Sequence, residues 1–288
     1  MAPPYPVLYA IPAFFLTMLL EQWWLRRKGA RPDALYEKRD WFASMCMGVG
    51  SLIAGAIVAP LFHGAMNVVY AHRIATIEVT PLTYLLLFLS EDFAYYWLHR
   101  ISHERRFWWA SHVNHHSSER YNLGTALRQT WTAPLTFTWI MWVPLAWIGF
   151  RPEWVYFQMG ISLLYQYWIH TELIVKMPSW FEWLFNTPSH HRVHHGRNER
   201  YLDKNYGGIL IVWDRILGTF EPEDPKEPVQ YGLVHPLQST NPLWVAMHEW
   251  VAIARDVAQF RRVRDKLRAL WVKPADYDAF RAEALREK

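Results

Sequence analysis

Five apolar segments, each close to the length of a membrane-crossing helix, constrain the fold of this 288-residue chain more than any other feature. A helix that crosses a bilayer needs about 20 mostly apolar residues, and about 17 is the lower limit. Only three acids, Glu21, Glu91 and Asp92, interrupt the five segments. The sequence therefore predicts an all-α polytopic membrane protein with about four to five membrane helices and a cytosolic, histidine-rich helical cap. The segments are 7–25, 41–62, 81–98, 129–150 and 154–171.

Lysine and arginine are distributed unevenly over the loops between these segments. Such residues accumulate on the cytosolic side of membrane proteins. The loops that follow the second and fourth segments contain only Arg73 and Arg151, whereas basic residues crowd the loops after the first and third. The bias predicts an integral, multi-pass membrane protein whose histidine-rich segments face the cytosol. The crowded residues are Arg26, Arg27, Lys28, Arg31, Lys38, Arg39, Arg100, Arg105 and Arg106.

Composition and charge support the membrane assignment. The 18 tryptophans exceed what a soluble core of this size needs, and Trp and Tyr favour the membrane interface. The net charge of +4 lies beside apolar segments, which predicts anionic lipid headgroups as partners and no nucleic acid. The first segment ends in Trp23 and Trp24 without a small-residue cleavage site, so it is predicted to be retained as an anchor.

The chain divides into three predicted parts. Residues 1–80 form N-terminal membrane helices, 81–223 form the catalytic domain, and 224–288 form a cytosolic amphipathic helix and tail. Apolar positions recur at near-helical spacing over 241–273, among many arginines. Such a basic amphipathic helix lies on a membrane surface or packs on its own domain, and the sequence leaves both open. Residues 178–185 are predicted to be interfacial.

Nine of the 14 histidines fall in or beside four short sites at the cytosolic ends of the segments. In HRISH the histidines are spaced i, i+4, and in HVNHH and HHRVHH they are spaced i, i+3, i+4, so each set shares one helix face. Another histidine closes the fifth segment. The residues are His99 and His103; His112, His115 and His116; His191, His194 and His195; and His170.

A shared metal site explains this clustering, because neutral imidazole is a ligand for Zn, Cu, Fe and Ni. Eight or nine imidazoles exceed the needs of one ion, since even a structural zinc uses four ligands. Two ions are therefore predicted. A metal cluster at the ends of apolar segments has access to lipid chains, and zinc lacks the redox chemistry needed to attack an unactivated C–H bond of such a chain. The prediction is therefore two iron ions acting with O2, with zinc able to displace iron during purification. His63, His72, His235 and His248 are interpreted as ordinary hydrogen-bonded residues.

The order HRISH, HVNHH and HHRVHH resembles the fatty acid hydroxylase and sterol desaturase superfamily, whose members are membrane di-iron oxygenases. Within it, four stretches between Glu91 and Glu223 are similar to the alkylglycerol monooxygenases, the ether-lipid-cleaving branch. They are EDFAYYWLHRISHE, SHVNHHSSERYNLGTALRQT, TPSHHRVHHGRN and DKNYGGILIVWDRILGTFEPE. The resemblance implies an oxidoreductase that uses O2 to oxidise a lipid C–H bond, with cleavage of an alkylglycerol ether as the reaction.

The resemblance also implies roles for single residues and for a reductant. The eight box histidines would bind iron, with His170 as the ninth ligand. His190 lies one residue off the third ligand face and is predicted to act beside the metal rather than on it. The resemblance implies a tetrahydropterin as the external reductant. No further membrane spans follow the last histidine box, where a site for that reductant would lie, so a ferredoxin or cytochrome-type electron donor is the alternative.

Two acids inside the third segment are costly at membrane depth and are therefore candidates for function. Asp92 lies seven residues before His99, two turns up the same helix face, and is predicted to orient a ligand histidine or to serve a proton path. The alternative is that Asp92 or Glu91 pairs with a polar group of another span. Polar residues that flank the boxes are predicted to support ligands or bind headgroups: Asn122, Arg128, Asp203, Lys204, Asn205 and Asp214.

Other classes of protein fit the pattern less well. A transmembrane haem electron carrier also pairs histidines between helices, but its pairs lie singly within the bilayer rather than in triplets at one side. A metal transporter would place its ligands near the bilayer midplane. Within the oxygenase class, a sterol desaturase or hydroxylase and a fatty-acyl hydroxylase use the same histidine pattern and remain alternatives.

Overall fold

The computed structural model describes residues 3, 5–31 and 34–286, and these form helices joined by loops, without a β-strand among them. The outermost residues of the first and last predicted parts, 1, 2, 287 and 288, lie outside the described chain. The helices are α1 (Pro6–Lys28), α2 (Lys38–Ala71), α3 (Pro81–Glu104), α4 (Arg106–Trp109), α5 (Val113–His116), α6 (Val143–Ile148), α7 (Pro152–Trp168), α8 (Ser179–Leu184), α9 (Pro188–His194), α10 (Val212–Leu217), α11 (Pro242–Gln259), α12 (Val263–Trp271) and α13 (Tyr277–Arg286).

Helices α1 and α2 are long and apolar enough to cross a membrane, by length and composition. Only 11% of the apolar stretch of α1 and 6% of that of α2 is buried inside the protein. Leu19 is 70% exposed and Ile57 is 73% exposed, so these faces need an apolar partner outside the described chain. The two helices therefore agree with the predicted membrane protein, while the count of four to five spans stays a prediction.

Helix α3 begins in the third apolar segment and carries the first histidine box near its C-terminal end. It begins with a capping box, in which the Thr80 and Thr83 side chains each accept from the other residue's backbone amide. Pro81 occupies the first turn, where its missing N–H costs nothing. Helices α3, α6 and α7 pack around a buried apolar cluster that includes Leu87, Leu145 and Val155.

Residues 129–150 do not form the single spanning helix that their apolar composition predicts. They form two 3₁₀ turns, Ala133–Thr136 and Thr138–Trp142, followed by the short helix α6. Phe137 separates the turns with a left-handed backbone at φ 56°. Pro134 and Pro144 each remove a backbone donor, so an uninterrupted helix is disfavoured here. The apolar composition of residues 129–150 did not indicate that the helix would be interrupted.

The predicted C-terminal helix over 241–273 is two helices, α11 and α12, with a break at Phe260. The backbone of Phe260 is extended, and its ring is buried against Ala269, Phe280 and Ala284. The break turns α12 back so that it packs with α13. The prediction of one continuous helix over residues 241–273 is therefore wrong at Phe260.

Arg106 joins these C-terminal helices to the end of α3. Its amide donates to the Val272 carbonyl, and its guanidinium donates to Glu249 and Asp256 at 2.6 and 2.9 Å. The guanidinium also lies 3.6 Å from the centre of the Tyr277 ring. Because Arg106 is 2% exposed, these contacts form a buried polar hub next to α4.

Candidate metal centre

The nine predicted ligand histidines come together as two adjacent groups. Each group offers nitrogen atoms that all lie within 4.8 Å of one another. The five-histidine group contains His99, His103, His112, His116 and His194, and the four-histidine group contains His115, His170, His191 and His195. The other histidines of the described chain lie outside both groups. The structure therefore brings together every histidine that the sequence singled out as a ligand, and its geometry suits two ions.

Each histidine triplet is divided between the groups in the same way. In the second box, His112 and His116 join the five-histidine group and His115 joins the other. In the third box, His191 and His195 join the four-histidine group, and His194 crosses to the five-histidine group. Residues spaced i, i+4 thus act as a pair, while the i+3 residue turns to the neighbouring group. The boxes interlock, so neither group is complete without both triplets.

Burial favours the neutral form of several of these imidazoles. Eight of the nine rings are buried, with exposures of 3% to 8%, and His112 is partly buried. Desolvation, followed by the proximity of neighbouring rings, lowers the pKa of His112, His191 and His195 well below its usual value. Desolvation also lowers the pKa of His170 to about 4. Neutral imidazole is the form that binds a metal ion, so these four rings are in the binding state at neutral pH.

Backbone carbonyls fix the orientation of four rings. The Nδ1 of His99 donates to Tyr206 O at 2.9 Å, and that of His194 donates to Lys204 O at 2.9 Å. The Nδ1 of His170 donates to Gln166 O at 2.7 Å. That of His115 donates to the carbonyl of Arg128 at 3.3 Å. A carbonyl only accepts, so each Nδ1 carries the proton and each Nε2 presents its lone pair to the group.

The pair His115 and His170 tests whether a cation fits. Each Nδ1 atom carries a proton, which it donates to the carbonyl oxygen named above. The two Nε2 atoms face each other at 3.3 Å. Two lone pairs at this separation repel unless a cation is shared between them. Nitrogens that bind one ion at about 2.0–2.1 Å stand roughly 2.8–3.4 Å apart when the angle at the ion lies between about 90° and 109°. The separations of 2.9 Å for His170–His191 and 3.1 Å for His99–His112 agree with that spacing.

Three Nε2 ring nitrogens in the cluster also lack any hydrogen-bond partner although they are buried. They are the Nε2 atoms of His103, His194 and His195. An unsatisfied buried polar atom costs about 1–3 kcal/mol, so their concentration in one place calls for a ligand. The donor set and the geometry together fit two metal ions held by imidazole nitrogen.

The DKNYGG segment holds two of the orienting carbonyls and is itself clamped by a buried carboxylate. Asp214 accepts from the amides of Tyr206 and Gly207, both at 2.7 Å, and from Thr219 at 2.7 Å. Burial, the largest effect, raises the pKa of Asp214 to about 6 although these hydrogen bonds lower it. A Cβ atom on Gly208 would lie 2.8 Å from the Tyr95 ring, so this close approach requires glycine.

Asp92 supports the same segment and does not touch a ligand ring. Its carboxylate accepts from the amides of Ile209 and Leu210 at 2.7 and 3.1 Å and from the indole of Trp213 at 2.9 Å. The Tyr206 carbonyl accepts from the Nδ1 of His99, so the predicted orienting role of Asp92 would act through this loop. The predicted catalytic role of Asp92 stays untested.

His190 likewise stays apart from both histidine groups. Its Nε2 lies 3.0 Å from Glu182, and its ring packs against Phe220. Burial opposes ionisation of Glu182, but hydrogen bonds from His190 and its other neighbours outweigh it and lower the pKa to about 2. The position agrees with a group beside the metal ligands. A catalytic role for His190 remains a prediction.

The other acids of the apolar segments have structural partners. Glu21, which is 2% exposed, accepts from Thr171, Tyr36 and the Leu123 amide, and so ties α1 to the residue after His170. Glu91 accepts from the indole of Trp142 at 3.1 Å, while its second oxygen has no partner. The alternative that an acid pairs with a polar group from another apolar segment therefore holds for Glu91.

Arg128 is the flanking residue whose support is most direct. Its guanidinium, 1% exposed, donates to the carbonyl of Asn114 at 3.1 Å and to the Ser117 hydroxyl at 3.0 Å. It also pairs with Asp40 at the start of α2 at 3.0 Å. The second histidine box is thus held to α2. The sequence predicted that Arg128 supports a ligand or binds a headgroup, but nothing in it indicated that the Arg128 carbonyl orients His115.

The region that holds the clustered histidines is similar to known proteins. Residues 84–219 match the model of the family described as Fatty acid hydroxylase. Alkylglycerol monooxygenase of Xenopus tropicalis is 50% identical over 174 residues, which are 60% of this chain and 38% of that protein. The enzyme of Homo sapiens is 50% identical over 175 residues, 60% of this chain and 38% of that protein. The Danio rerio enzyme is 46% identical over 193 residues, 67% of this chain and 42% of that protein.

The chain thus spans about two fifths of the length of these curated relatives. No solved structure matches it. The matched region contains all nine clustered histidines. Over residues 84–219 the match confirms the resemblance that the histidine boxes predicted, and the matched relatives are monooxygenases by name.

Proposed function

From the match of residues 84–219 to the Fatty acid hydroxylase family model, we propose that the chain is a membrane-bound di-iron monooxygenase that oxidises a lipid C–H bond with O2. The observation that carries the proposal is the pair of interlocked histidine groups. Zinc fits the same nitrogen donors, but C–H oxidation requires a redox-active metal. Two iron ions, when bound, would supply the oxidising power for C–H attack.

The residues of the chain supply binding and orientation. The five-histidine group would hold one ion and the four-histidine group the other. The carbonyls of Tyr206, Lys204, Arg128 and Gln166 keep the ligand nitrogens aimed inward, which raises affinity because the rings need no reorientation. Burial of the histidines excludes bulk water from the reacting atoms.

We further propose that the substrate is an ether lipid with a glycerol-linked alkyl chain. The names of the matched relatives support this choice. An ether oxygen also weakens the adjacent C–H bond, which makes that carbon the favoured point of attack. One O2, two electrons and two protons convert the O–CH2 group to a hemiacetal and release one water. The hemiacetal then collapses to a fatty aldehyde and free glycerol, with the hydroxyl proton moving to the departing glycerol oxygen.

An apolar groove supports a lipid substrate. It has a volume of about 420 Å³ and is lined by Leu20, Trp23, Leu123 and Leu173, with Glu21 at its wall. Glu21 accepts a hydrogen bond from Thr171, the neighbour of the ligand His170. An alkyl chain in this groove would therefore lie close to the four-histidine group, with its ether end at the interface where headgroups reside.

The substrate proposal predicts fatty aldehyde as the product. Membranes that contain the full chain, loaded with iron, are incubated with an alkylglycerol and O2. One set receives a tetrahydropterin and the other a ferredoxin with its reductase, since either donor class would supply the two electrons. Aldehyde and glycerol should form in equal amounts with one donor, and a His191→Ala variant should form neither. If no aldehyde appears while a sterol or acyl lipid gains oxygen or a double bond, the ether-lipid assignment fails and the oxygenase proposal stands.

We also propose a multi-pass topology with the histidine boxes in the cytosol, supported by the distribution of lysine and arginine. Glu119 is exposed and follows the second box, whereas Ser117 is buried. A Glu119→Cys variant in a Cys46→Ala background should resist an impermeant thiol reagent in intact cells and react after lysis. Labelling before lysis would reverse the orientation.

A further inference from the structure

Helix α12 carries two apolar faces, and only one of them is covered. Its inner face buries Ala269 against Phe260 and Phe280, and Asp265 lies on the same side. A helix on the surface of a soluble domain normally presents polar residues opposite its buried stripe. On α12 the opposite side presents Val263, Leu267 and Trp271.

These three residues form one continuous exposed stripe. They are spaced four residues apart, so they lie along one face of the helix, roughly opposite Asp265 and Ala269. Val263 is 70% exposed, Leu267 is 56% exposed and Trp271 is 53% exposed. Single exposed apolar residues need no explanation, but an aligned set that ends in tryptophan is typical of a helix in a membrane interface.

Basic residues border the stripe on both sides. Arg264 and Arg268 lie along one edge and Lys266 along the other, with Arg261 and Arg262 just before the helix. The helix has a single acid, Asp265, which is buried. Long basic side chains beside an apolar stripe can cover it with their stems and place their charges at the level of lipid phosphates. Arg268 is paired with Glu283 at 3.3 Å and Arg264 lies 3.5 Å from Asp265, but the cations along the stripe outnumber these acids, so the charge of this surface is complementary to anionic headgroups.

The location of α12 also fits a bilayer surface. The Val272 carbonyl, just after the helix, accepts from the Arg106 amide at 3.1 Å, two residues beyond the end of α3. Trp271 packs against Trp108 with ring centres 5.3 Å apart. In the proposed topology α3 ends at the cytosolic face, so these contacts place α12 at the depth of that face.

From these observations we infer that α12 lies flat on the cytosolic leaflet, with Val263, Leu267 and Trp271 inserted between lipids and the flanking cations bound to anionic headgroups. This inference rests on the proposed membrane topology. A second copy of the chain fits the exposed face of α12 less well than lipid does, because a symmetric contact through this face would bring two rows of cations together. The helix would thereby fasten the histidine-bearing cap to the membrane through the Arg106 hub.

The test measures where position 267 lies in a bilayer. The full-length Leu267→Cys variant, in a Cys46→Ala background, is spin-labelled and placed in nanodiscs of phosphatidylcholine alone or with phosphatidylglycerol. Collision with O2 reports lipid exposure, and collision with a water-soluble nickel complex reports aqueous exposure. We expect the label to be lipid-exposed in the anionic discs and more aqueous in the zwitterionic ones.

Removal of charge should weaken the effect in a predictable way. Each cation near an anionic surface contributes about fivefold to membrane association. An Arg264→Gln and Lys266→Gln double variant should therefore shift the ratio of inserted to free helix by about thirtyfold toward the aqueous state. Lys226→Gln, in the exposed acidic loop, is the matched control and should change nothing. Unchanged iron content shows that each variant is folded.

Three outcomes would overturn the inference. Equal lipid exposure in both disc types would remove the role of anionic lipid. Aqueous exposure in both would remove the membrane contact, and spin coupling between two labels would assign the face to a second copy. A label at Ile57→Cys on α2 separates this inference from the topology on which it rests. If that label is also aqueous the topology fails, and if it is lipid-exposed while position 267 is not, only the α12 inference fails.

Discussion

Replacement of His191 with alanine is expected to lower turnover by more than about a hundredfold, since loss of a residue that only supports a ligand already costs about 10- to 100-fold. His191 is a direct candidate ligand, with its Nε2 2.9 Å from that of His170. Its loss leaves three histidines in the four-histidine group. Turnover is measured as aldehyde formed per chain, with the amount of folded protein determined in parallel.

The neighbouring residue provides a matched control. His190 lies in the same helix and is equally buried, but it contacts Glu182 rather than the histidine groups. A His190→Gln variant can still donate to Glu182, so we expect it to keep its metal and to retain turnover within about tenfold of the unchanged protein. If His190→Gln is as inactive as His191→Ala, the assignment of ligands in the third box is wrong.

The clustered histidines were predictable from the sequence because a short helix fixes which residues share a face. The spacing of His99 and His103, and of the two triplets, was enough to select eight of the nine clustered residues, and His170 was selected because it closes the fifth apolar segment. Spacing was not enough to divide them between two ions. That division depends on how α3, α5 and α9 meet, which is a tertiary property: His115 and His194 each turn away from their own i, i+4 pair.

The support of the ligands was harder to predict. Four ring orientations depend on backbone carbonyls, and every residue type has a carbonyl, so Tyr206 and Lys204 give no compositional signal for this role. Asp92 was correctly marked as unusual because an acid at that depth needs partners. Its partners are amides 117 and 118 residues away, at Ile209 and Leu210, and helical periodicity contains no information about them.

Apolar composition predicted two long apolar helices correctly and a third continuous helix wrongly. Residues 7–25 and 41–62 lie within helices α1 and α2, where few residues are buried by the protein itself. Residues 129–150 are equally apolar, yet Phe137 adopts a left-handed conformation and the segment breaks into short turns. A count of membrane spans from hydropathy alone therefore overestimates the continuous helices in this chain.

The central claim is that the two histidine groups bind two metal ions, and metal content per chain tests it most directly. Elemental analysis of the full chain, produced in iron-rich medium, should give about two equivalents of iron plus zinc, as expected for one ion in each group. His103→Ala and His191→Ala, one from each group, should each lower the content to about one, while His235→Ala, whose ring is exposed, should leave it unchanged. One equivalent in the unchanged protein, unaffected by either ligand variant, would contradict the account.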